Sequence, residues 1–559
     1  MRLLPVWLRR NVMAELSFYP SAHRPEAVGV NGMVSSAHPL ASVAGVRVLM
    51  EGGNAFDAAV ATAATLNVVE PNMSGMGGLG LAMVYVGKEK RVRVLNFSGR
   101  AAQAAEPSRF TQENIETGIL APLVPGNVAG WLTLHEAYGS LDRERLFQSA
   151  IEYAEKGFPL TQRNSRYMDA TASRLALFPS ASIILDSAGR APKPGSRFKM
   201  PQLAESLRKI AKDGQETFYR GELAEEIVGG NQEMGGLFTL DDLACYEAQW
   251  QDPISINYRG YEVYTTPPNS SGFQVLETLK LMEGFKGTDL MFQHPNSLHL
   301  MIEAVKLSAT DRIRYAGDPD YVDIPVKLLL SDEYANRQRQ RIDRHIPAIV
   351  PGERYTSRVS SGSLTAGSTE KFDGGMTTHF AVADRDGNVV SITQTLGGSF
   401  GSAVAVGNTG IFLNNMSYWF ELDEGSPNLI GPGKRVNFVV APTQTFRAGK
   451  FFLSMGTPGS YGILQTTPQF VMNVLDFGMN VQEAIEAPRF RCTEGRNVEM
   501  EERFPSQIRR VLQDLGHDVC VVEAWSRTVG GAQGILVDVD AGVFRGGADP
   551  RRDGYSIGY

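Results

Sequence analysis

Cysteine is scarce: the 559 residues hold three, Cys245, Cys492 and Cys520. So few, set so far apart, exclude a disulfide framework and a thiolate metal centre, and fit a reducing compartment. Long apolar runs are missing too. The most extended, AAVATAATLNVV after Asp57, falls well short of the ~20 residues that cross a bilayer, and reads as a buried helix. In MRLLPVWLRRNVMAELSFYP the apolar stretches are broken by Pro5, Arg9, Arg10 and Glu15, so no secretory core is present. A cytoplasmic location is expected, with the periplasm as the alternative. No dense Lys/Arg block occurs and the formal net charge is -7, which removes nucleic acid and anionic membranes from the expected partners. The eight histidines contain no HExxH, and His299 with Glu303 is only an i,i+4 pair; no metal and no cofactor is expected.

What is present is an ordinary globular composition, 43% hydrophobic and 21% charged. After a ragged first forty residues, two helices are expected around HPLASVAGVRVLMEGGNAFDAAVATAATLNVVEP. Pro39 suits a first helical turn, Gly52 and Gly53 a stop, and Asn54 the next cap. Two strands, LAMVYVG and VRVLNF, follow the glycine loop SGMGGLG. A helix-rich middle leads to a Ser/Thr/Gly linker over about 351–376. Beyond it strands are expected at TTHFAVA, NVVSITQT, GIFLNN, APTQTF, KFFLSMG, DVCVVE and AQGILVD, with a helix at QTTPQFVMNVLDFG. Helices and strands in blocks predict packed sheets flanked by helices, not alternating βαβ units.

Two glycine patterns imitate known fingerprints. Gly75, Gly77 and Gly80 satisfy G-x-G-x-x-G, but a helix precedes and a strand follows, the reverse of a dinucleotide site. A close-approach backbone loop is expected instead. Gly397 to Gly401 spell G-x-S-x-G, which would make Ser399 a nucleophile with His517, the only downstream histidine, as its base. The turn-rich SAVAVGNTG stands where that motif needs a helix.

Thr377 offers a third chemistry. A hairpin closed by the five-residue loop Asp384–Asn388 places Thr377 opposite Thr395, with Cβ atoms roughly 4.5–5.5 Å apart. One hydroxyl then holds the other. A threonine hydroxyl needs a base, and its own α-amino group serves once the bond to Met376 is cut; that amine has a pKa of about 7.7–8.0. The same hydroxyl can attack the Met376 carbonyl and cut the bond itself.

GGNAFDAAVA, MSGMGGLG, VPGNVAGW, PPNSSG, EAVKLSATDR, TTHFAVADRDGNVVSITQTL, GIFLNN, PGKR, APT, GTPGS, EAPRF and ADPRRDGY together resemble the γ-glutamyltransferases, or glutathione hydrolases. These are N-terminal-nucleophile (Ntn) hydrolases made as self-cleaving proenzymes. The resemblance implies a four-layer αββα sandwich, cleavage between Met376 and Thr377, a large subunit of 1–376 and a small subunit of 377–559. It also implies an acyl-enzyme on Thr377 steadied by Thr395, and an oxyanion hole at Gly459 and Ser460. The two subunits are expected to form a heterodimer, with further dimerisation as an alternative, acting on small amide or γ-glutamyl substrates with water or an amine as acceptor.

The substrate positions depart from the family pattern. Ser98 stands where the carboxylate-binding arginine aligns, with Arg100 two residues on. Gly397 replaces an asparagine; after Asn415, Met416 and Trp419 replace the polar pair for the donor's ammonium; Phe438 and Val439 replace two serines. Arg100, Gly397, Asn415, Trp419 and Phe438 are the candidate substrate residues. An ammonium against apolar walls costs a few kcal/mol, so a glutaryl donor, as in the related cephalosporin acylases, is the alternative to γ-glutamyl. Outside the family stand the Ser399 hydrolase and a non-catalytic binding protein.

Overall fold

The computed structural model describes residues 22–344 and 376–559, apart from residue 494. Of the expected linker, only Met376 lies among the described residues. Two seven-stranded sheets carry the architecture. From edge to edge the first runs Tyr555–Gly558, Gly32–Ser36, Met376–Asp384, Val389–Gly397, Leu79–Val86, Arg91–Phe97 and Gln249–Gln251. The second runs Ala27–Gly29, Val543–Ala548, Gln533–Asp538, Lys450–Gly456, Thr443–Arg447, Tyr261–Thr265 and Ile254–Tyr258. Every pairing within the two is antiparallel.

Alternation along the strands sets the layers, because successive side chains point to opposite faces. On Met376–Asp384, Phe380 and Val382 join the core built with helices Pro39–Met50 and Ala55–Val69. Ala381 and Ala383 meet Met33, Phe446, Phe451 and Ile535 between the sheets. The second sheet is covered on its other face by helices Gly462–Leu475 and Val481–Glu486, whose Phe470, Val474 and Ile485 pack with Leu453 and Met455. Helix, sheet, sheet, helix is the expected αββα sandwich.

Helix Ala55–Val69 is buried at every position, as its Ala-rich sequence allows. Asn54 starts it with a capping box: the Asn54 side chain accepts from the Phe56 and Asp57 amides, and the Asp57 carboxylate accepts from the Asn54 amide at 3.0 Å.

Three expectations are corrected. The ragged first forty residues contain the strand Gly32–Ser36, which pairs with Met376–Asp384 on one side and Tyr555–Gly558 on the other; five residues are too few to show a period. The stretch read as helix-rich holds the hairpin Ile254–Tyr258 and Tyr261–Thr265. GIFLNN forms bridges only, at Leu413 with Gly77 and Phe412 with Ala405. Its asparagines hold loops together, the Asn414 amide donating to Gly77 O at 3.0 Å. Among the described residues no helix is long and apolar enough to cross a membrane.

Candidate active site

The register at Thr377 is set at the far end of its hairpin. Asp384 closes the loop, its amide donating to Asn388 O at 3.1 Å and its Oδ1 accepting from the amides of Asp386 and Asn388. From there the ladder runs unbroken to Thr377 opposite Thr395, as the loop length predicts. One step further it breaks. Met376 pairs with Gly397, skipping Leu396, whose amide donates to Met73 O at 2.9 Å. Such a bulge re-aims the groups beside it.

At that break, three groups converge on one oxygen. Thr377 Oγ1 donates to Thr395 Oγ1 at 3.1 Å, the Gly397 amide donates to the same atom at 2.8 Å, and Thr395 Oγ1 donates to Met376 O at 2.9 Å. The Thr395 hydroxyl thereby uses its one proton and both lone pairs. Both threonines are buried. The glycine loop presses against this strand: a Cβ on Gly78 would lie 2.4 Å from Thr395 O, and one on Gly77 2.2 Å from Phe412 O. Close backbone approach is what these glycines permit.

His379, two residues along, is buried and carries no charge near neutrality, since burial lowers its pKa to about 3. Its Nδ1 pairs with Thr393 Oγ1 at 2.8 Å, and its ring lies where a Cβ on Gly456 would sit, 2.2 Å from that position. This contact brings the second sheet to the hairpin. Beyond Gly456, Thr457 Oγ1 accepts from the Gly531 amide at 2.9 Å and donates to Pro458 O. Gly459 and Ser460 then turn with φ of +136° and +57°. Their amides donate to no backbone acceptor among the described residues, which suits a hole for a developing oxyanion.

The candidate substrate residues divide. Asn415 holds the loop after Val389–Gly397: its Oδ1 accepts from the Gly398 amide at 2.7 Å and its Nδ2 donates to Glu116 O at 2.9 Å. Gly397, at φ +95°, has Asn415 Oδ1 only 2.3 Å from where a Cβ would be, so no side chain fits there. Trp419 and Phe438 lie with Met416 in one apolar cluster. The Trp419 ring is 4.8 Å from that of Tyr461, next to Ser460, and its buried Nε1 has no partner among the described residues. Arg100 is engaged with Asp320 at 3.3 Å and Gly433 O at 3.0 Å. Ser98 is buried against Asn269.

A model described as gamma-glutamyltranspeptidase matches residues 41–559. The chain belongs to that family. It is 37% identical to a glutathione hydrolase-like YwrD proenzyme of Bacillus subtilis, over 95% of this chain and 99% of that one. It is 35% identical to the acylase ACY 1 proenzyme of Pseudomonas sp. (strain SE83), over 96% and 95% of the two chains. The solved cephalosporin acylase from Bacillus halodurans superposes with a TM-score of 0.88 at 34% identity, covering 97% of this chain and 98% of its own. This γ-glutamyltranspeptidase-family chain is an enzyme of the Ntn hydrolase and acyltransferase type.

In this family member the Ser399 and His517 pairing is overturned. Ser399 Oγ accepts from Thr171 Oγ1 at 2.9 Å, and Arg174 donates to Ser399 O. His517 Nε2 instead pairs with His299 Nδ1 at 2.8 Å. That contact corrects the reading of His299 and Glu303 as a bare i,i+4 pair: with His517 they put three ligand-type atoms within 4.8 Å. The Glu303 carboxylate already accepts from the buried Lys306 ammonium at 3.0 Å. Nothing in the sequence links His299 to His517.

Glu70 was also not foreseen. It caps helix Ala55–Val69, and its Oε2 accepts from Thr378 Oγ1 at 2.8 Å. Burial pushes its pKa up to about 7, against the hydrogen bond from Thr378 and the charge of Arg552. A glutamate closing an apolar helix just before Pro71 was the available signal.

Proposed function

We propose that this enzyme cuts itself between Met376 and Thr377, giving parts 1–376 and 377–559, and then uses Thr377 as an N-terminal nucleophile on amide donors. The observation that carries the reading is the run of hydroxyls from Thr377 through Thr395 to Met376 O. In the precursor, Thr377 Oγ1 adds to the Met376 carbonyl carbon as its proton passes to Thr395 Oγ1. The Thr395 proton passes to the carbonyl oxygen. Collapse breaks the C–N bond, the nitrogen takes up the proton, and an ester joins Met376 to Thr377 Oγ1. Water releases the Met376 carboxylate and leaves a free α-amine, the base for later turnovers. Gly459 and Ser460 amides are assigned to the oxyanion of the substrate.

The donor is an amide of γ-glutamyl or glutaryl type, consistent with the glutathione hydrolase and acylase names of the relatives. A specific observation favours glutaryl. Met416, Trp419 and Phe438 offer no oxygen acceptor and only the weak thioether sulfur of Met416, and the one unpartnered nitrogen among them, Trp419 Nε1, is a donor. An α-ammonium finds no counterpart there.

A denaturing gel with N-terminal sequencing tests the first part: two bands are expected, the smaller beginning Thr-Thr-His-Phe. One stable, inactive band would sink it. For the donor, the measurement is kcat/KM for glutaryl and γ-glutamyl 4-nitroanilides. A clear γ-glutamyl preference would overturn the pocket argument.

A further inference from the structure

A carboxylate-bearing donor needs a cation near the nucleophile, yet the guanidinium of Arg100 is held by Asp320 and Gly433 O. A second group of arginines lies beside the scissile bond. Helix Gln162–Leu175 and the segment 521–528 enclose a cleft of about 680 Å³, lined by Arg163 and Arg166 on one side and Arg527 on the other. Two carboxylates also line it, Glu523 and Asp553. Asp553 is already engaged, accepting from Thr161 Oγ1 at 2.7 Å and lying 3.5 Å from Arg163 Nε. Arg166 and Arg527 have no carboxylate partner among the described residues; Arg527 lies over the Tyr167 ring, 5.5 Å from its centroid.

The cleft reaches both halves of the reaction centre. Tyr167, in its lining, packs with Met73 and Met376, the residue whose carbonyl oxygen accepts from Thr395 Oγ1. On the other side Arg527 and Thr528 lead into Gly530, whose Cα lies 3.0 Å from where a Cβ on Gly459 would be. At the Tyr167 hydroxyl the arginine charges dominate, and Arg552 Nη1 donates to it at 2.7 Å. Burial pushes the Tyr167 phenol up, but the charges of Arg552, Arg527 and Arg163 more than offset it and leave its pKa below the ordinary value.

We propose that this arginine cleft binds a carboxylate of the amide substrate, with Arg166 and Arg527 as its specificity-determining residues. The inference rests on the threonine-nucleophile reading. Cleavage after Met376 frees the place on Tyr167 and Met73 through which a substrate would enter. Planar guanidinium forks match a carboxylate in two hydrogen bonds. The carboxylate belongs either to the acyl group or to the amine half of the amide.

Two substrate pairs separate these sources. Glutaryl 4-nitroanilide and its terminal carboxamide analogue vary the acyl charge; the butanoyl amides of 4-aminobenzoate and 4-aminobenzamide vary the amine charge. In R166Q and R527Q the kcat/KM advantage of the charged member is expected to fall about tenfold in one pair, through KM. Binding of glutarate, or of 4-acetamidobenzoate, to the processed wild-type enzyme is followed by calorimetry, and the matching anion should bind about tenfold more weakly to each variant. An unchanged advantage in both pairs, with both anions bound as by wild type, overturns the cleft. A chain that is never cut and turns over nothing overturns the nucleophile reading instead; the same calorimetry on that uncut chain, in which Arg166 and Arg527 already line the cleft, then reads the cleft alone.

Discussion

Thr377 and Thr378 are neighbours on one buried strand, and they face opposite layers. Thr377 lies on the face toward the second sheet, where its proton goes to another hydroxyl, Thr395 Oγ1. Thr378 lies on the face toward the helices, where its proton goes to the carboxylate of Glu70. The partner decides what each can do. Thr395 has a proton of its own to pass on, and it points at Met376 O, whereas the Glu70 carboxyl bonds to no peptide carbonyl among the described residues. One threonine is therefore set in a relay and the other is tethered. The period of two along a strand and a bulge at one peptide bond separate two residues that composition cannot tell apart.

The most severe way to break this comparison is to exchange the two threonines for alanine in turn. Thr377→Ala should abolish both cleavage and turnover, while Thr378→Ala should still yield two bands on a gel. If the Thr378 variant stays whole and the Thr377 variant is cut, the faces have been assigned the wrong way round. Next in size is Thr395→Val, which keeps the shape but removes the relay and the donor to Met376 O. Proton-transfer groups contribute about 10²–10⁴-fold, so self-cleavage, timed by densitometry, should slow by at least about 100-fold.

On the helix side the corresponding test is Glu70→Gln, which keeps an acceptor for Thr378. The folded-state pKa of Glu70 is about 7 against an ordinary 4.5. A carboxyl raised in this way binds its proton more tightly in the folded protein, so its contribution is fully present below pH 4.5 and is lost as the pH rises to 7. Denaturation midpoints of wild type and Glu70→Gln should therefore separate across that window, the variant gaining up to about 3 kcal/mol in relative stability at pH 8. Parallel pH profiles would show that Glu70 is ionised without penalty.

How legible this was depended on range in the sequence. The hairpin, its register and the pairing of Thr377 with Thr395 followed from one loop length and two strand-like runs. So did the capped helices at Pro39 and Asn54, whose signals lie within four residues. The strand Gly32–Ser36 carried no such signal, because its place beside Met376–Asp384 is fixed by partners hundreds of residues away. The same holds for His517 with His299, and for Gly530 beneath Gly459. GIFLNN misled for a different reason: its apolar residues are buried as a strand's would be, but its asparagines give their hydrogen bonds to loops.

The smallest expected effect concerns the loop of Gly459 and Ser460 that follows the second-sheet strand Lys450–Gly456. Ser460 adopts φ +57°, a left-handed conformation that costs a non-glycine residue about 1 kcal/mol. Its proposed role belongs to its backbone amide, not to its hydroxyl. Ser460→Gly should therefore leave self-cleavage and turnover within about twofold, since glycine adopts this conformation without steric cost. Stability should change by no more than about 1 kcal/mol, because relief of strain is offset by the added freedom of the unfolded chain. Ser460→Pro separates the two parts of the residue: it removes the amide, and proline cannot take the observed φ. If Ser460→Gly proves as damaging as Ser460→Pro, the hydroxyl has a part in the chemistry and the hole is not made of backbone alone.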